Sequence, residues 1–330
     1  MIRKMKATPK KKTPAAPSRK PFPIVGIGGS AGGLEAFQEL LKSISNKPGA
    51  ALVFIMHLAP SHKSLLVELL AKITKMPVSE ITSGIIPEIN HAYIKPPNAN
   101  LVLAGGKLIL SALGGEDLRR KHIDSFFHSL ADELGNRSIG VILSGTGTDG
   151  TLGAEAIKAE GGITFAQDQK SAKYNDMPQS AVTAGCVDFV LSTKKIANEL
   201  KRIARHPLIS STAPLKTDEP IITKDKSFES VFDILRRVEG LDFTYYKTAT
   251  ISRRVSRRMV LLKLESLKAY IKFLRENKDE VEKLYEDLLI NVTSFFRDEK
   301  VFKALEKSVI PKILKSKTKD QGVRIWVPGC

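Results

Sequence analysis

The sequence predicts an α/β fold: a doubly wound, mostly parallel sheet with helices on both faces, followed by a small all-α domain. Three observations lead to this prediction. From Phe22 onward, short apolar runs alternate with helix-sized segments, as in β–α–β units. From Phe228 the pattern is helical and highly charged. Near the end, the run Val323–Val327 predicts a strand that begins a further domain.

The elements of the first domain follow from apolar runs and their spacing. The predicted strands are Ile24–Ile27, Ala51–Met56 and Ile139–Leu143, and the predicted helices are Leu34–Ser43, Ser64–Thr74, His122–Leu134, Thr151–Ala159 and Thr193–Ala204. Gly105-Gly106, between two short apolar runs, predicts a hairpin. We expect that hairpin to add an antiparallel edge to the sheet.

Composition divides the rest of the chain. Residues 1–21 predict a disordered basic tail, 22–205 a catalytic domain and 206–226 a linker containing prolines. Residues 227–300 predict a helical domain, and 301–330 the start of another. The predicted helices of the helical domain are Phe228–Val238, Thr250–Leu262, Leu267–Asn277 and Asp279–Asn291.

The net charge of +17, from 52 basic and 35 acidic residues among 330, raises the question of a nucleic-acid partner. Residues 1–20 hold eight basic side chains and no acid, and residues 228–330 hold 22 basic and 15 acidic. Residues 21–227 are almost balanced, with 22 basic and 20 acidic side chains. The α/β domain therefore has almost no net charge that could attract nucleic acid. A nucleic-acid or acidic-membrane role for the tail stays open.

Two cysteines exclude a disulfide framework, so a cytoplasmic protein is expected. Their separation gives no metal-binding spacing, and no metal site is expected. Membrane insertion is not expected either, because spanning takes about 20 apolar residues and the apolar runs here are far shorter.

Three predicted strand ends carry reactive side chains, and ligands of parallel sheets bind beyond those ends. Gly28-x-Ser30-x-Gly32 matches a nucleophile elbow, and the helix after it offers N–H groups to an oxyanion. A phosphate-binding glycine loop is the alternative, but neither the dinucleotide spacing nor a P-loop lysine is present.

The other two strand ends supply a base and an acid. His57 directly follows the second strand, where a general base for Ser30 would stand, although a structural histidine is the alternative. Asp149 follows the strand Ile139–Leu143 and could orient the imidazole, cap the helix at Thr151, or do both. Together the three residues predict a Ser–His–Asp triad.

These segments resemble the catalytic segments of the chemotaxis receptor methylesterases (CheB type). The resemblance covers about residues 22–200 and is carried by Ile27–Gly33, His57–Pro60, Tyr93–Pro97, Leu143–Gly150 and Asp176–Ala181. It implies a serine hydrolase without a cofactor, with Ser30 as nucleophile, His57 as base and Asp149 as orienting acid. The implied substrates are glutamate γ-methyl esters, and also selected glutamines, of methyl-accepting chemotaxis-type receptors.

The resemblance also implies oxyanion or turn roles for Ala31, Gly32 and Thr146. The family often has Thr after the serine and Met in the Gly-x-Gly turn, where this chain has Ala31 and Thr146. A backbone N–H donor survives either change. The receiver domain that usually precedes such an esterase is not present in this sequence, so its control is open.

The C-terminal region resembles the chemotaxis receptor methyltransferases (CheR type), most specifically at Asn291–Arg297. That resemblance implies S-adenosylmethionine as cofactor of the full-length methyltransferase and a role for Arg297 at its carboxylate, with a helix-end arginine as the alternative. It also identifies Val323–Val327 as the first strand of a truncated Rossmann-like domain. We therefore expect a fusion fragment whose cofactor site is incomplete.

One predicted helix carries four arginines, Arg253, Arg254, Arg257 and Arg258, which stand in i, i+4 pairs. Because the methylation helices of receptors are rich in glutamate, we expect these arginines to dock receptors. A solvated face and a nucleic-acid contact are the alternatives. For the whole chain, a non-catalytic receptor adaptor is the main alternative to an esterase, and a basic nucleic-acid-binding protein is a further one.

Overall fold

The computed structural model describes residues 22–56, 66–112, 121–210, 228–240, 243, 246–289, 302, 304–315, 324 and 326. The chain forms two compact units, Met1–Ile290 and Asn291–Cys330. In the first unit we distinguish an α/β lobe, residues 22–210, from a helical lobe, residues 228–289. The predicted basic tail lies outside the described residues, as does most of the predicted linker.

The α/β lobe contains a sheet of seven parallel strands in the order β3-β4-β2-β1-β7-β8-β9. The strands are β1 Ile24–Gly29, β2 Ala51–Met56, β3 Val78–Glu80, β4 Ala92–Ile94, β7 Ser138–Ile142, β8 Ile163–Gln167 and β9 Phe189–Leu191. Every residue of β1, β2, β7 and β8 is buried. Continuous apolar strands covered on both faces are typical of a parallel sheet, and the predicted fold class is confirmed.

Helices cover both faces of this sheet. They are α1 Gly33–Ser43, α2 Leu66–Ala71, α3 His122–Leu134, α4 Thr151–Ala159, α5 Asp176–Thr183, α6 Thr193–Ala204 and the short α7 Pro207–Ser210. One core cluster joins the sheet to α1, α2 and α6, and the other joins it to α3, α4 and α5. The strand order reverses between the neighbouring strands β1 and β7. From β1 the chain continues to β2 on one side, and from β7 it continues to β8 on the other side. That reversal is the position where open α/β sheets bind ligands.

The hairpin lies at the predicted residues, but it does not join the main sheet as predicted. Strands β5 Ala99–Ala104 and β6 Lys107–Ala112 pair with each other as a separate two-stranded sheet. They pack on α3, where Leu103 N–H donates to Ser129 Oγ at 2.9 Å. The main sheet is therefore wholly parallel in the described residues, without the expected antiparallel edge.

The described residues of the helical lobe form four helices around an apolar core of their own. They are α8 Glu229–Glu239, α9 Thr248–Leu261, α10 Leu267–Glu276 and α11 Lys278–Leu289. Gly240 ends α8 in the left-handed conformation, and Ser266 Oγ accepts the Ala269 N–H at 3.3 Å to cap α10. In the second unit, a π-helical turn, Leu305–Val309, continues into α12, Ile310–Lys315. Of the predicted strand Val323–Val327 only residues 324 and 326 are described, and neither is in a strand.

The helical lobe contacts the α/β lobe at the amino end of the sheet. Val260 of α9 is fully buried and belongs to the core cluster of the α/β lobe. Its carbonyl accepts a hydrogen bond from Arg202 Nη1 at 3.0 Å, and His206 Nε2 donates to Leu264 O at 3.1 Å. The two lobes therefore share one buried boundary.

Arginine side chains of α9 complete that boundary. Arg257 is 1% exposed, and its Nε donates to Gly162 O at 3.1 Å, just before β8. Its Nη2 pairs with Asp188 of the α/β lobe, and its Nη1 pairs with Asp287 of the helical lobe at 2.5 Å. Arg257 thus links carboxylates of both lobes through one planar guanidinium.

The neighbouring arginines are also engaged, which corrects the expectation of an exposed docking face. Arg254 is buried and donates to Lys158 O, and its burial lowers its pKa to about 10. Arg253 pairs with Glu160 at 2.8 Å, and Arg258 pairs with Glu280 within the helical lobe. Arg254 and Arg257 face the α/β lobe, so they cannot meet a receptor helix while the lobes are joined.

No helix in the described ranges is both long enough and apolar enough to cross a membrane.

Candidate active site

The turn that carries Ser30 has the strand–turn–helix form of a nucleophile elbow. Strand β1 ends at Gly29 and α1 begins at Gly33, so Ser30 stands half-buried at the carboxyl end of the sheet. Gly32 has φ +70, and Gly33 N–H donates to Ser30 O at 2.8 Å. This left-handed residue produces the sharp turn that a side chain at position 32 would strain.

The turn after β7 lies directly beside the Ser30 turn. Ser30 N–H donates to Ser144 O at 3.0 Å, and Ser144 Oγ donates to Ala31 O at 2.9 Å. Ser144 is itself fixed, because its N–H donates to Gln167 Oε1 at 2.9 Å. Main-chain groups and one buried hydroxyl therefore join the two turns, and the Gln167 amide fixes the second turn.

Gly145 is needed because the turns approach so closely. A Cβ at this position would lie 3.1 Å from Ser30 Cβ and 2.3 Å from Met177 Sδ. The second distance is far below van der Waals contact. Any side chain at position 145 would therefore displace Met177 or the Ser30 turn.

Asp149 is 4% exposed and lies in the same loop as Ser144. Its Oδ2 accepts the Ile123 N–H at 3.1 Å, and its Oδ1 accepts the Asp124 N–H at 3.0 Å. Asp149 therefore binds the start of α3. It does not cap α4, whose N-cap is Gly150 and has no side-chain cap. Two amide donors at the start of α3 thus fix the orientation of this carboxylate, as an orienting acid requires.

A second buried carboxylate stands next to Asp149. Asp124 Oδ1 accepts the Gly153 N–H at 2.8 Å, and burial raises the pKa of this carboxyl, with Asp149 contributing. Lys121 Nζ lies 3.8 Å from Asp124 Oδ2 and donates to Thr148 Oγ1 at 2.6 Å. This lysine joins the start of α3 to the loop that carries Asp149.

Backbone N–H groups for an oxyanion are present at the Ser30 turn. Within the described part of the chain, the N–H groups of Ala31 and Gly32 donate to no other group. They stand at the start of α1, where the helix dipole favours negative charge. Thr146, the other residue predicted for this role, is exposed in the loop after β7.

His57 and Arg297 lie outside the described residues, so their roles stay predictions. The register of the sheet nevertheless bears on the base, because Met56, the residue before His57, pairs with Gly29, the residue before Ser30. Arg297 is predicted to hold the carboxylate of S-adenosylmethionine. Too few residues of that region are described for such a site to be seen. Among the described residues, no group of His, Cys, Asp and Glu could hold a metal ion.

Sequence reasoning missed the residues that connect these turns. Ser144 lies within the segment Leu143–Gly150, but its sequence context indicates no role for it, and Gln167 ends a strand that the sequence did not predict. Tyr174 was also missed, although its N–H donates to Ser144 Oγ at 3.0 Å and its carbonyl accepts the Gly145 N–H at 3.0 Å. The short apolar run of β8 was the available signal, since its carboxyl end had to reach the same edge of the sheet.

Two family models match this chain. The model described as CheB methylesterase matches residues 25–200. The model described as CheR methyltransferase, all-alpha domain, matches residues 226–289. These ranges fall on the α/β lobe and the helical lobe, and they confirm both resemblances. The parts of Ser30, His57 and Asp149 in catalysis stay predictions.

Similar proteins point in the same direction. The protein-glutamate methylesterase/protein-glutamine glutaminase 3 of Burkholderia orbicola is 35% identical over 59% of this chain and 57% of its own length. The uncharacterized 104.1 kDa protein in the hypE 3′ region of Rhodobacter capsulatus is 32% identical over 79% of this chain and 29% of its own length. The chain thus spans less than two thirds of either relative.

A solved structure shares the fold of the α/β lobe. The crystal structure of the Thermotoga maritima CheB methylesterase catalytic domain is 28% identical, with a TM-score of 0.52. The match covers 56% of this chain and 99% of that domain.

Proposed function

Because the chain belongs to the CheB methylesterase family, we propose that its α/β lobe hydrolyses glutamate γ-methyl esters on chemotaxis-type receptors. The observation that carries this proposal is the pairing of the Ser30 turn with the Asp149 loop at the reversal point of the sheet. The helical lobe, fused to it, is of the CheR all-alpha type.

In the proposed reaction Ser30 Oγ attacks the γ-carbonyl carbon while His57 removes the hydroxyl proton. The N–H groups of Ala31 and Gly32 stabilise the resulting oxyanion. The tetrahedral intermediate expels methoxide, which takes the proton from His57 and leaves as methanol. Water then attacks the acyl-enzyme with His57 again as base, and the products are free glutamate and regenerated Ser30.

Asp149 acts through His57 in this scheme. Both of its oxygens are already held by the start of α3, so the carboxylate is fixed before substrate arrives. A fixed carboxylate orients the imidazole and stabilises its protonated form. Lys121 and Ser144 hold the loop in place, so we assign them positioning roles.

Deamidation of glutamine is a second candidate activity at the same site. The Burkholderia orbicola relative is named for both activities. The chemistry differs only in the leaving group, since attack of Ser30 on a γ-amide expels ammonia instead of methanol.

Methanol release from a methyl-labelled receptor fragment tests the proposal. We expect the wild-type chain to release methanol and Ser30→Ala to lower the rate at least about a thousandfold, because the nucleophile is lost. Ser45→Ala is the matched control, since Ser45 lies beyond the far end of α1. Equal release by Ser30→Ala, or none by the wild type, would contradict the esterase, and binding without release would favour a receptor adaptor.

A further inference from the structure

A cleft opens between the Asp149 loop and helix α5, with a volume of about 760 Å³. Most of its lining side chains are uncharged and carry hydrogen-bonding groups. The walls are formed by Gly147, Thr148, Thr151, Asn175, Asp176, Gln179, Ser180, Thr183 and Ala184. Among the described residues, Asp176 is the only ionisable residue of this lining. A cleft of this size accommodates several side chains of a bound protein segment.

The α5 wall presents a row of hydrogen-bonding side chains. Asn175, Gln179 and Thr183 follow one another at a spacing of four residues. Asn175 Nδ2 donates to Gln179 Oε1 at 3.4 Å, and Gln179 Nε2 donates to Thr183 Oγ1 at 3.3 Å. Each amide group has further donor or acceptor capacity, so the row is oriented and can still bind a ligand.

The opposite wall belongs to the loop and helix that follow β7. Thr148 Oγ1 accepts from Lys121 Nζ at 2.6 Å, which fixes its hydroxyl. Thr151 Oγ1 donates to Ser180 Oγ at 3.1 Å and so joins the two walls. This hydrogen bond fixes the distance between the two walls at this point.

The cleft is also fixed relative to Ser30. Met177 N–H donates to Gly145 O at 3.0 Å, and Tyr174 exchanges hydrogen bonds with Ser144 and Gly145. The segment that begins α5 is thus tied to the same turn that contacts Ser30. We therefore expect a substrate whose ester reaches Ser30 to place its neighbouring residues toward this cleft.

We propose that the cleft binds the part of the protein substrate that flanks the ester and selects neutral polar side chains, such as glutamine, over carboxylates. This inference rests on the esterase function proposed above. Amide and hydroxyl groups of the walls match an amide partner in both donors and acceptors. A carboxylate would meet the charge of Asp176, and no basic residue is among the described residues of the lining. Lys121, which contacts Thr148, is already paired with Asp124.

The consequence concerns substrates with several modification sites. An ester next to glutamine, or next to another methylated glutamate, is the better substrate. An ester next to free glutamate is the poorer one. Hydrolysis therefore slows as neighbouring esters are removed.

Two helical peptides and one small ester test the inference. Each peptide carries a single glutamate γ-methyl ester, flanked by glutamines in one and by glutamates in the other. The small ester is N-acetylglutamate amide γ-methyl ester, which has no flanking residues. We expect wild-type kcat/KM to be about tenfold higher for the glutamine-flanked peptide, as the loss of one or two hydrogen bonds implies.

The variant Asn175→Ala/Gln179→Ala isolates the cleft. It should raise KM for the glutamine-flanked peptide about tenfold and leave hydrolysis of the small ester unchanged. Asn198→Ala is the matched control, an exposed amide on α6, which packs on the other face of the sheet. Equal hydrolysis of the two peptides by the wild type, or equal losses on the peptide and the small ester, would overturn the cleft proposal. Failure of the wild type on all three esters would instead overturn the esterase function.

Discussion

At the carboxyl end of the sheet, two turns are joined by main-chain groups and one hydroxyl, whereas at the amino end the lobes are joined by arginines. Ser144 connects the Ser30 turn to its neighbour through neutral hydrogen bonds of 2.9 to 3.0 Å. Arg257 connects Asp188 and Asp287, and all three side chains are almost completely buried. One end is organised by backbone geometry and the other by buried charge.

The difference determines how each end responds to change. A neutral hydrogen bond contributes about 1 kcal/mol net, so its loss has a local effect. A buried ion group depends on every partner, because each remaining charge is left without compensation. The carboxyl end should therefore be sensitive to shape, and the amino end to charge.

The largest expected effect comes from Arg257→Met, which keeps the volume and removes the charge. Two carboxylates are then buried without a cation, and the free energy of unfolding should fall by about 3–5 kcal/mol. Calorimetry should resolve separate transitions for the two lobes. Hydrolysis of the small ester should be retained, since Ser30 lies at the opposite end of the sheet.

Arg253→Met is the control for this experiment. Its pair with Glu160 is more than one third exposed at both side chains, so the loss should be at most about 1 kcal/mol. Adding Asp188→Asn and Asp287→Asn to Arg257→Met should restore much of the stability. Equal destabilisation by Arg253→Met and Arg257→Met would show that buried charge does not hold the lobes together.

The second-largest effect is expected from Gly145→Ala, which changes the shape of the carboxyl end of the sheet without changing its charge. The added methyl group meets Met177 and Ser30, and a shift of about 1 Å in the Ser30 turn should lower kcat about a hundredfold. Methanol release measures this change. Gly33→Ala on the same edge is the control, because its nearest neighbour would be 3.5 Å away. Equal activity of Gly145→Ala and Gly33→Ala would contradict the inference that a side chain at position 145 displaces the Ser30 turn.

The smallest expected effect is a pH dependence of the lobe contact through His206. Burial lowers the pKa of His206, whose Nε2–H donates to Leu264 O while Nδ1 accepts the Leu208 N–H. The folded state favours the neutral ring, so stability is full above the ordinary pKa of about 6.5 and falls as acid protonates the ring. Arg202 and Glu265 also face this ring.

Thermal unfolding between pH 7.5 and 5 measures that dependence. His206→Gln keeps a donor toward Leu264 O and does not titrate, so the slope with pH should become shallower. An unchanged slope would assign the pH dependence to other groups.

The sequence predicted the carboxyl end well because its signals are local. Glycines around Ser30 and Asp149 mark sharp turns after apolar runs, and both turns lie where they were expected. The chemical role of Ser144 was missed, because its partners Ala31 and Tyr174 are distant in sequence. Strand β9 was missed for a related reason, since three residues carry little pattern and pair with β8 only in the fold.

The amino end could not be predicted in the same way. Four arginines on one helix indicate an exposed basic face unless their carboxylate partners are known. Three of them pair with carboxylates just after α4, just before β9 and within α11, and Arg254 donates to a backbone carbonyl. The first two carboxylates are 93 and 69 residues away from their arginines. Charge patterning therefore identified the helix but misassigned its surroundings.

The attachment of the helical lobe to the amino end of the sheet has an evolutionary consequence. A gene fusion that joins a new module there alters the surface near β8 and β9 and leaves the nucleophile turn untouched. Selection can then modify the junction and the chemistry separately, because mutations at one end seldom interfere with the other. A sheet whose two ends can change independently can acquire a second module while its original reaction continues.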